Sequence, residues 1–294
     1  MRKYTIASCS LGSFVNEKME QSMRKSRIRR LELTGSLCTR EEDAAVETVR
    51  RLQSMVQDGS WVIGSVHIPF GEPYDPSAAD ETARLANCER IREVVMKCVD
   101  AGLGAPAYTL HGGMEPTTDE ERSLRLAQSR KSLAELAPFF KELGAYVNVE
   151  FLPRSCCGNC VEELQFITDG QPDNVGICFD VNHVMDHSRD LPRWITALAP
   201  RIRSFHLSDY DGVDEQHWLI PHQGVIDWHG VMAAIKAIDH DVNMIFECNF
   251  RGGVTWRGNT CLDSTPRIFE YSAFYLENVE RFKELDDEFE NCTF

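Results

Sequence analysis

The order of apolar and polar residues predicts an alternation of strands and helices along the whole chain. Short runs rich in Val, Ile and Phe, about as long as buried strands, are separated by longer stretches with apolar residues at helical spacing. Eight runs are predicted as strands: TIASCS near Ile6, IRRLEL ending at Leu33, WVIGSVHI ending at Ile68, PAYTLH ending at His111, AYVNVE ending at Glu150, VGICFD ending at Asp180, RIRSFH ending at His206 and NMIFE ending at Glu247.

The predicted helices fill the gaps between these strands. They cover residues 14–25, 41–56, 77–101, 119–143, 160–168, 192–198, 228–238 and 269–289. Eight strand-helix units in one series, with no linker between them, predict a single α/β domain over residues 1–294, a closed (β/α)8 TIM barrel. The alternative is an open, doubly wound sheet. That fold favours a glycine-rich turn after the first strand, and SLGSF at positions 10–14 does not match G-x-G-x-x-G.

Net charge, apolar runs and cysteine positions indicate which partners and which cellular compartment suit this chain. The chain carries 31 Lys and Arg against 46 Asp and Glu, a formal net charge of −15, which disfavours nucleic acid and anionic membranes as partners. No apolar run is long enough to span a bilayer, and the first residues enter a strand pattern directly, so we expect a cytoplasmic protein. Of the 11 cysteines, those within apolar segments are predicted to be reduced core residues: Cys9, Cys98, Cys178 and Cys248.

Four of the predicted strands end on a side chain that can bind a metal ion: Glu150, Asp180, His206 and Glu247. In a parallel barrel these strand ends meet at one mouth. Two Glu, one Asp and one His suit one divalent metal ion, with Mn²⁺ the first choice and Mg²⁺, Co²⁺ or Zn²⁺ as alternatives. Any single carboxylate here has an ordinary alternative role, that of capping the next helix. Four in succession after apolar residues favour a binding site, because an unpaired charge there is costly.

The motifs that carry these residues resemble those of the xylose isomerase-like TIM barrel superfamily, in particular its sugar-phosphate isomerase/epimerase branch. They are SVHIPF at 65–70, LHGG at 110–113, NVEF at 148–151, FDVNH at 179–183, FHLSD at 205–209, PHQG followed by ID at 221–227, and FECN at 246–249. The resemblance implies that the four strand-end residues hold one divalent ion. It also implies that Glu150 and Glu247 form the acid/base pair and that His183 approaches the substrate.

This resemblance implies an isomerase or epimerase of a small sugar, sugar phosphate or polyol ketone. A proton leaves carbon next to the carbonyl and another returns, through an enediolate whose charge the metal stabilises. Two alternatives remain open. An inosose-type dehydratase would use the same metal and the same first proton abstraction. A barrel that binds a sugar or metal without turnover is disfavoured by the intact pair of glutamates.

A different class of enzyme is also open, a multi-zinc phosphodiester hydrolase as in the related apurinic/apyrimidinic endonuclease family. That resemblance implies further zinc ligands at His67, His111, His183 and a D-x-H pair. Here the pair reads Glu215-Gln216-His217, and the spacing of the following WLIPHQG departs from the pattern. The acidic net charge also opposes binding to phosphates, so we rank this class second.

Residues around the predicted mouth are candidates for substrate contact: His67, His111, His183, Trp218 and Arg251. Asp209 is a candidate brace for its loop and a candidate partner of His206. The roles of His222 and of the C-C-x-x-C group, Cys156, Cys157 and Cys160, are left open. So are the sugar, its phosphorylation and assembly into a homo-oligomer.

Overall fold

Eight parallel strands form the centre of the protein, in a computed structural model that describes residues 3–12, 14–221, 224–248, 255–256, 259–260 and 265–282. The strands are β1 (Lys3–Ala7), β2 (Arg30–Thr34), β3 (Val62–His67), β4 (Ala107–His111), β5 (Tyr146–Glu150), β6 (Val175–Asp180), β7 (Ile202–Leu207) and β8 (Asn243–Phe246). They pair in sequence order, and β8 pairs with β1, which closes the barrel. A short antiparallel pair, β9 (Thr255–Trp256) and β10 (Asn259–Thr260), follows β8.

The helices occupy the predicted gaps between strands. They are α1 (Glu17–Lys25), α2 (Asp43–Gln57), α3 (Glu81–Asp100), α4 (Asp119–Glu142), α5 (Val161–Thr168), α6 (Leu191–Leu198), α7 (Trp228–Lys236) and α8 (Thr265–Phe282). Several start where a polar side chain accepts a hydrogen bond from a free backbone N–H of the first turn. Asn16, Asp80, Thr118 and Asp227 cap α1, α3, α4 and α7 in this way.

The closed barrel confirms the predicted fold class and excludes the open sheet. Element boundaries differ from the sequence prediction by a few residues. The third helix begins at Glu81 rather than at residue 77, because Asp80 is its cap. The eighth strand ends at Phe246, so Glu247 lies directly after it. Residues 283–289 of the last predicted helix lie outside the described residues.

The main core lies between the strands and the surrounding helices. All six residues of β6 are buried, and Phe179 packs against Phe151, directly after β5, and Phe205 of β7. This outer layer is apolar, whereas buried polar side chains such as Thr109 and Asn148 lie on the central strands. The continuous apolar runs in the sequence reflect strands that are covered on both faces.

Three of the four cysteines predicted to lie in the core are buried in the structure. The cysteines among the described residues are free thiols, and Cys98, Cys178 and Cys248 are buried as predicted. The prediction for Cys9 is wrong, because this side chain is exposed. The first strand ends at Ala7, and Cys9 lies in the 3₁₀ turn that follows at the barrel mouth. No helix in the described part of the chain is long and apolar enough to cross a membrane.

Candidate active site

The four predicted metal ligands lie together at the carboxyl ends of β5 to β8. Nδ1 of His206 is 3.0 Å from Oε1 of Glu150 and 2.9 Å from Oε2 of Glu247. It is 3.8 Å from Oδ2 of Asp180. One ligand atom from each of the four side chains lies within 4.8 Å of the others. The structure therefore brings one imidazole nitrogen and three carboxylates to a common point.

The donor set fits a divalent cation. Asp180 is fully buried, and its Oδ2 has no hydrogen-bond partner among the described residues. Its other oxygen accepts a hydrogen bond from the backbone N–H of Asn182, 2.7 Å away. A buried carboxylate oxygen without a partner is costly unless something binds it. Three oxygens and one nitrogen are donors that suit hard or borderline divalent metals.

Neighbouring charges shift the pKa values of Glu150 and His206 toward their charged forms. Burial by itself raises the pKa of the Glu150 carboxyl, but His206 and His111 outweigh this effect and hold that pKa well below its usual range. Burial alone lowers the pKa of His206. The Cys178 sulfur and the surrounding carboxylates, with Glu247 foremost, keep the pKa of His206 well above its usual value. The nearby His206 also lowers the pKa of Glu247, so the Glu150 and Glu247 carboxylates remain ionised at neutral pH and available to a cation.

Two further histidines, at the ends of β3 and β4, contact the other oxygen of Glu150. Nε2 of His67 is 3.1 Å and Nε2 of His111 is 3.3 Å from Oε2 of that carboxylate. Burial opposes a charge on both rings, yet the Glu150 carboxylate raises the pKa of His67 to about 9, while that of His111 stays lowered. The exposed Phe70 ring stacks on His111 at 4.7 Å. Sequence reasoning placed both histidines at the mouth but did not find these contacts.

His183 is held on three sides. Its Nδ1 donates to the backbone oxygen of Phe151 at 2.8 Å, and its Nε2 lies 3.4 Å from Oδ2 of Asp180 and 3.2 Å from Oε2 of Glu215. Glu215 also pairs with Arg154 at 2.9 Å. Although burial lowers the pKa of His183, Asp180 and Glu215 raise it to about 10, and its hydrogen bond to Glu215 lowers the pKa of that carboxyl to about 2.

The loop between β7 and α7 brings the Glu215-Gln216-His217 stretch to this histidine despite its irregular spacing. The ring of His217 meets that of His183 edge to face at 5.5 Å, and its Nδ1 is 3.2 Å from the backbone oxygen of Glu247. Asn182 anchors the loop, because its Nδ2 donates to Ser208 and its Oδ1 accepts from the backbone N–H of Gln216. These two hydrogen bonds hold Ser208 and Gln216 of the loop next to the end of β6.

Asp209 braces the same loop but does not act as predicted on His206. Its carboxylate accepts hydrogen bonds from the backbone N–H of Tyr210 at 2.9 Å, the indole Nε1–H of Trp228 at 2.9 Å and the backbone N–H of Ile226 at 3.3 Å. Its carboxylate is therefore committed to the loop. The residue that contacts the far side of the His206 ring is Glu32, with Oε1 2.9 Å from Nε2.

Other predicted site residues are placed only in part. The backbone of Trp218 pairs with that of Asp209, and its substrate contact stays a prediction. Arg251 and His222 lie outside the described residues. In the C-C-x-x-C group, Cys157 is buried and the Cys156 sulfur contacts Glu115. None of the three cysteines belongs to a metal-ligand group found among the described residues.

Sequence comparison identifies the family. A search of curated protein sequences finds no match. The profile of the xylose isomerase-like TIM barrel family matches residues 30–266. The chain belongs to the xylose isomerase-like TIM barrel family. The match runs from β2 to the start of α8, so it includes all four candidate metal ligands.

Solved structures of similar fold cover nearly the whole barrel. A D-tagatose 3-epimerase-like protein is 21% identical, with a TM-score of 0.74 over 95% of this chain and 98% of that one. L-ribulose 3-epimerase is 20% identical, with a TM-score of 0.73 over 97% and 98% of the two chains. IOLI protein with a binding zinc atom is 16% identical, with a TM-score of 0.74 over 94% and 98%. At these identities, the likeness establishes a shared fold.

Proposed function

We propose that this protein is a divalent-metal-dependent isomerase or epimerase of a small sugar, sugar phosphate or polyol ketone. The observation that carries the proposal is the pair of glutamates on β5 and directly after β8, which meet at one nitrogen of His206. The family and the names of two structural relatives as 3-epimerases support it. Glu150, Asp180, His206 and Glu247 would hold the ion, with Mn²⁺ the first choice.

The bound ion would supply a Lewis acid for the carbonyl oxygen of the substrate. The chain itself supplies the groups that move protons. Glu150 is 1% exposed and is held by His67, His111 and His206, which fix both of its oxygens. Glu247 is 21% exposed, and its Oε1 faces the exposed Cys9. Because Glu247 is the more exposed of the two, it can reach a carbon-bound proton of the substrate more easily. Glu150 is held in a fixed position by its three histidine contacts.

The roles of the two carboxylates follow from their separate positions on the barrel. For an epimerase, one removes a proton from carbon on one face and the other returns a proton on the opposite face. For an aldose/ketose isomerase, one carboxylate carries the proton between adjacent carbons. His183, 6% exposed and beside Asp180, is placed to contact a substrate hydroxyl. A dehydratase would share the first step and differ by loss of water.

Incubation of the Mn²⁺-loaded protein with ketoses, their phosphates and inososes in D₂O tests the proposal. We expect deuterium at carbon next to the carbonyl of one substrate class, with an epimer, an isomer or a dehydrated product. Glu150→Gln and Glu247→Gln should each abolish exchange, whereas Glu120→Gln, on the exposed first turn of α4, should retain it. Full exchange in either site variant would remove that residue from the acid/base role. Absence of exchange with every substrate would reject the function for this panel.

A multi-zinc hydrolase is the second candidate, and one specific observation favours it. Among the described residues, three further ligand groups overlap the site. They are His67, His111 and Glu150; Asp180, His183 and His217; and His67, His206 and Glu247. Elemental analysis after dialysis separates the two functions. About one equivalent of metal favours the isomerase, whereas about three equivalents of zinc with cleavage of an abasic-site oligonucleotide would favour the hydrolase.

A further inference from the structure

Glu32 is a buried carboxylate on β2 that lies outside the four-residue metal-ligand cluster. It is 2% exposed. The neighbours of β2 are β1 and β3, yet its side chain reaches across the barrel to His206 on β7. One oxygen, Oε1, is 2.9 Å from Nε2 of His206, and the other, Oε2, accepts a hydrogen bond from Ser65 at 2.7 Å. These two contacts hold the side chain of Glu32 inside the barrel.

The two nitrogens of His206 face different carboxylates. Nδ1 points to Glu150 and Glu247, and Nε2 points to Glu32. The ring is fully buried and stacks on His67 at 5.6 Å. The Nε2–Oε1 pair has the distance of an ion pair but not the alignment of a straight hydrogen bond.

A local irregularity in β3 brings Ser65 to this carboxylate. Leu31 pairs with Ile63, but Glu32 pairs with Ser65, so Gly64 is an extra residue in the ladder. Such bulges re-aim the side chain that follows them. A Cβ at position 64 would lie 3.0 Å from the Arg30 guanidinium, so a larger residue in the bulge would require that side chain to move. With Oε2 held by Ser65, Oε1 of Glu32 is directed at the imidazole.

We propose that Glu32 is a positioning residue that keeps the proton of His206 on Nε2 and thereby presents the lone pair of Nδ1 to the divalent cation. A neutral imidazole has one N–H, and a carboxylate beside Nε2 favours the tautomer with the proton there. A carboxylate behind a metal-bound histidine also fixes the ring orientation and strengthens the ligand. The inference rests on the proposed metal-dependent function and extends it to a residue outside the ligand set.

Metal binding, measured without substrate, tests this role. Calorimetric titration of the chelator-treated protein with Mn²⁺ should show an affinity about 10- to 100-fold lower in Glu32→Gln than in the wild type. Ser65→Ala, which frees Oε2 but keeps the carboxylate, should give a smaller loss in the same direction. Glu32→Asp should recover part of the affinity, because it restores the charge. The visible absorption of bound Co²⁺ should shift in Glu32→Gln, since the geometry around Nδ1 changes.

The control is Glu135→Gln, which weakens the ion pair with the buried Arg84 between α3 and α4; neither residue belongs to the ligand cluster. It should lower the thermal unfolding temperature and leave Mn²⁺ affinity unchanged. Wild-type affinity in Glu32→Gln would overturn the positioning role. An equal loss in Glu135→Gln would also overturn it, because general destabilisation would then explain the effect. If the wild type itself binds no divalent metal, the proposed function fails instead.

Discussion

Replacing Asp209 by alanine tests whether one buried carboxylate holds the loop between β7 and α7. Its two oxygens accept from Tyr210, Ile226 and Trp228, all of them buried. A buried N–H left without a partner costs about 1–3 kcal/mol. Burial raises the pKa of Asp209, so its charge already opposes folding, and removing that charge offsets part of the loss. We therefore expect a net destabilisation of about 2–4 kcal/mol.

The assay is thermal unfolding of the chelator-treated protein followed by circular dichroism, with urea unfolding as a second measurement. At about 2 °C per kcal/mol for a chain of this size, Asp209→Ala should lower the midpoint by about 4–8 °C. Asp211→Ala is the matched control. Asp211 lies in the same loop and accepts from the backbone N–H of Val213 at 2.8 Å, but it is exposed. Water can replace it, so we expect a change within about 0.5 kcal/mol. Equal shifts in the two variants would refute the reasoning.

Three further predictions concern the same region. A Cβ at Gly224 would lie 1.6 Å from Oδ1 of Asp209, so Gly224→Ala should destabilise the wild type strongly but the Asp209→Ala variant much less, as a double-mutant unfolding cycle would show. Mn²⁺ at about 100 times its Kd should stabilise the wild type by about 2.7 kcal/mol, and Asp180→Asn should lose most of that rise in thermal shift. In metal-free protein, His183, with its pKa raised from 6.5 to about 10, stabilises fully below pH 6.5 and loses that contribution as pH rises. Glu215, with its pKa lowered from 4.5 to about 2, stabilises above pH 4.5 and loses that contribution as pH falls. The stability difference between wild type and Glu215→Gln should therefore be largest between pH 4.5 and 6.5.

The barrel was predictable because its signals are local. Each strand is a short apolar run and each helix a periodic one, so their order could be read from neighbouring residues alone. The strand ends were also local signals, and Glu150, Asp180 and His206 lie where the runs predicted. Cys9 was misplaced for the same reason. Its apolar neighbours suggested a strand, but the strand ends at Ala7 and the chain turns at the mouth.

The contacts across the barrel were not predictable in this way. Glu32 and His206 are on strands that are not neighbours, and only closure of the barrel brings them to 2.9 Å. Glu215 likewise reaches His183 only because its loop follows a path that hydrogen bonds to Asn182 and Asp209 determine. Such pairs depend on shape and on buried hydrogen bonds between distant segments, which no spacing rule encodes.

By itself, the sequence determined the eight strand-helix units, the barrel they imply and the four side chains offered at the strand ends. The tertiary structure decided how those side chains are held. It directed one nitrogen of His206 to three carboxylates and the other to Glu32, and it held the oxygens of Glu150 between histidines from three strands. The physical reason is that strand formation depends on residues next to one another. The direction of a buried charge depends on every group that closes around it.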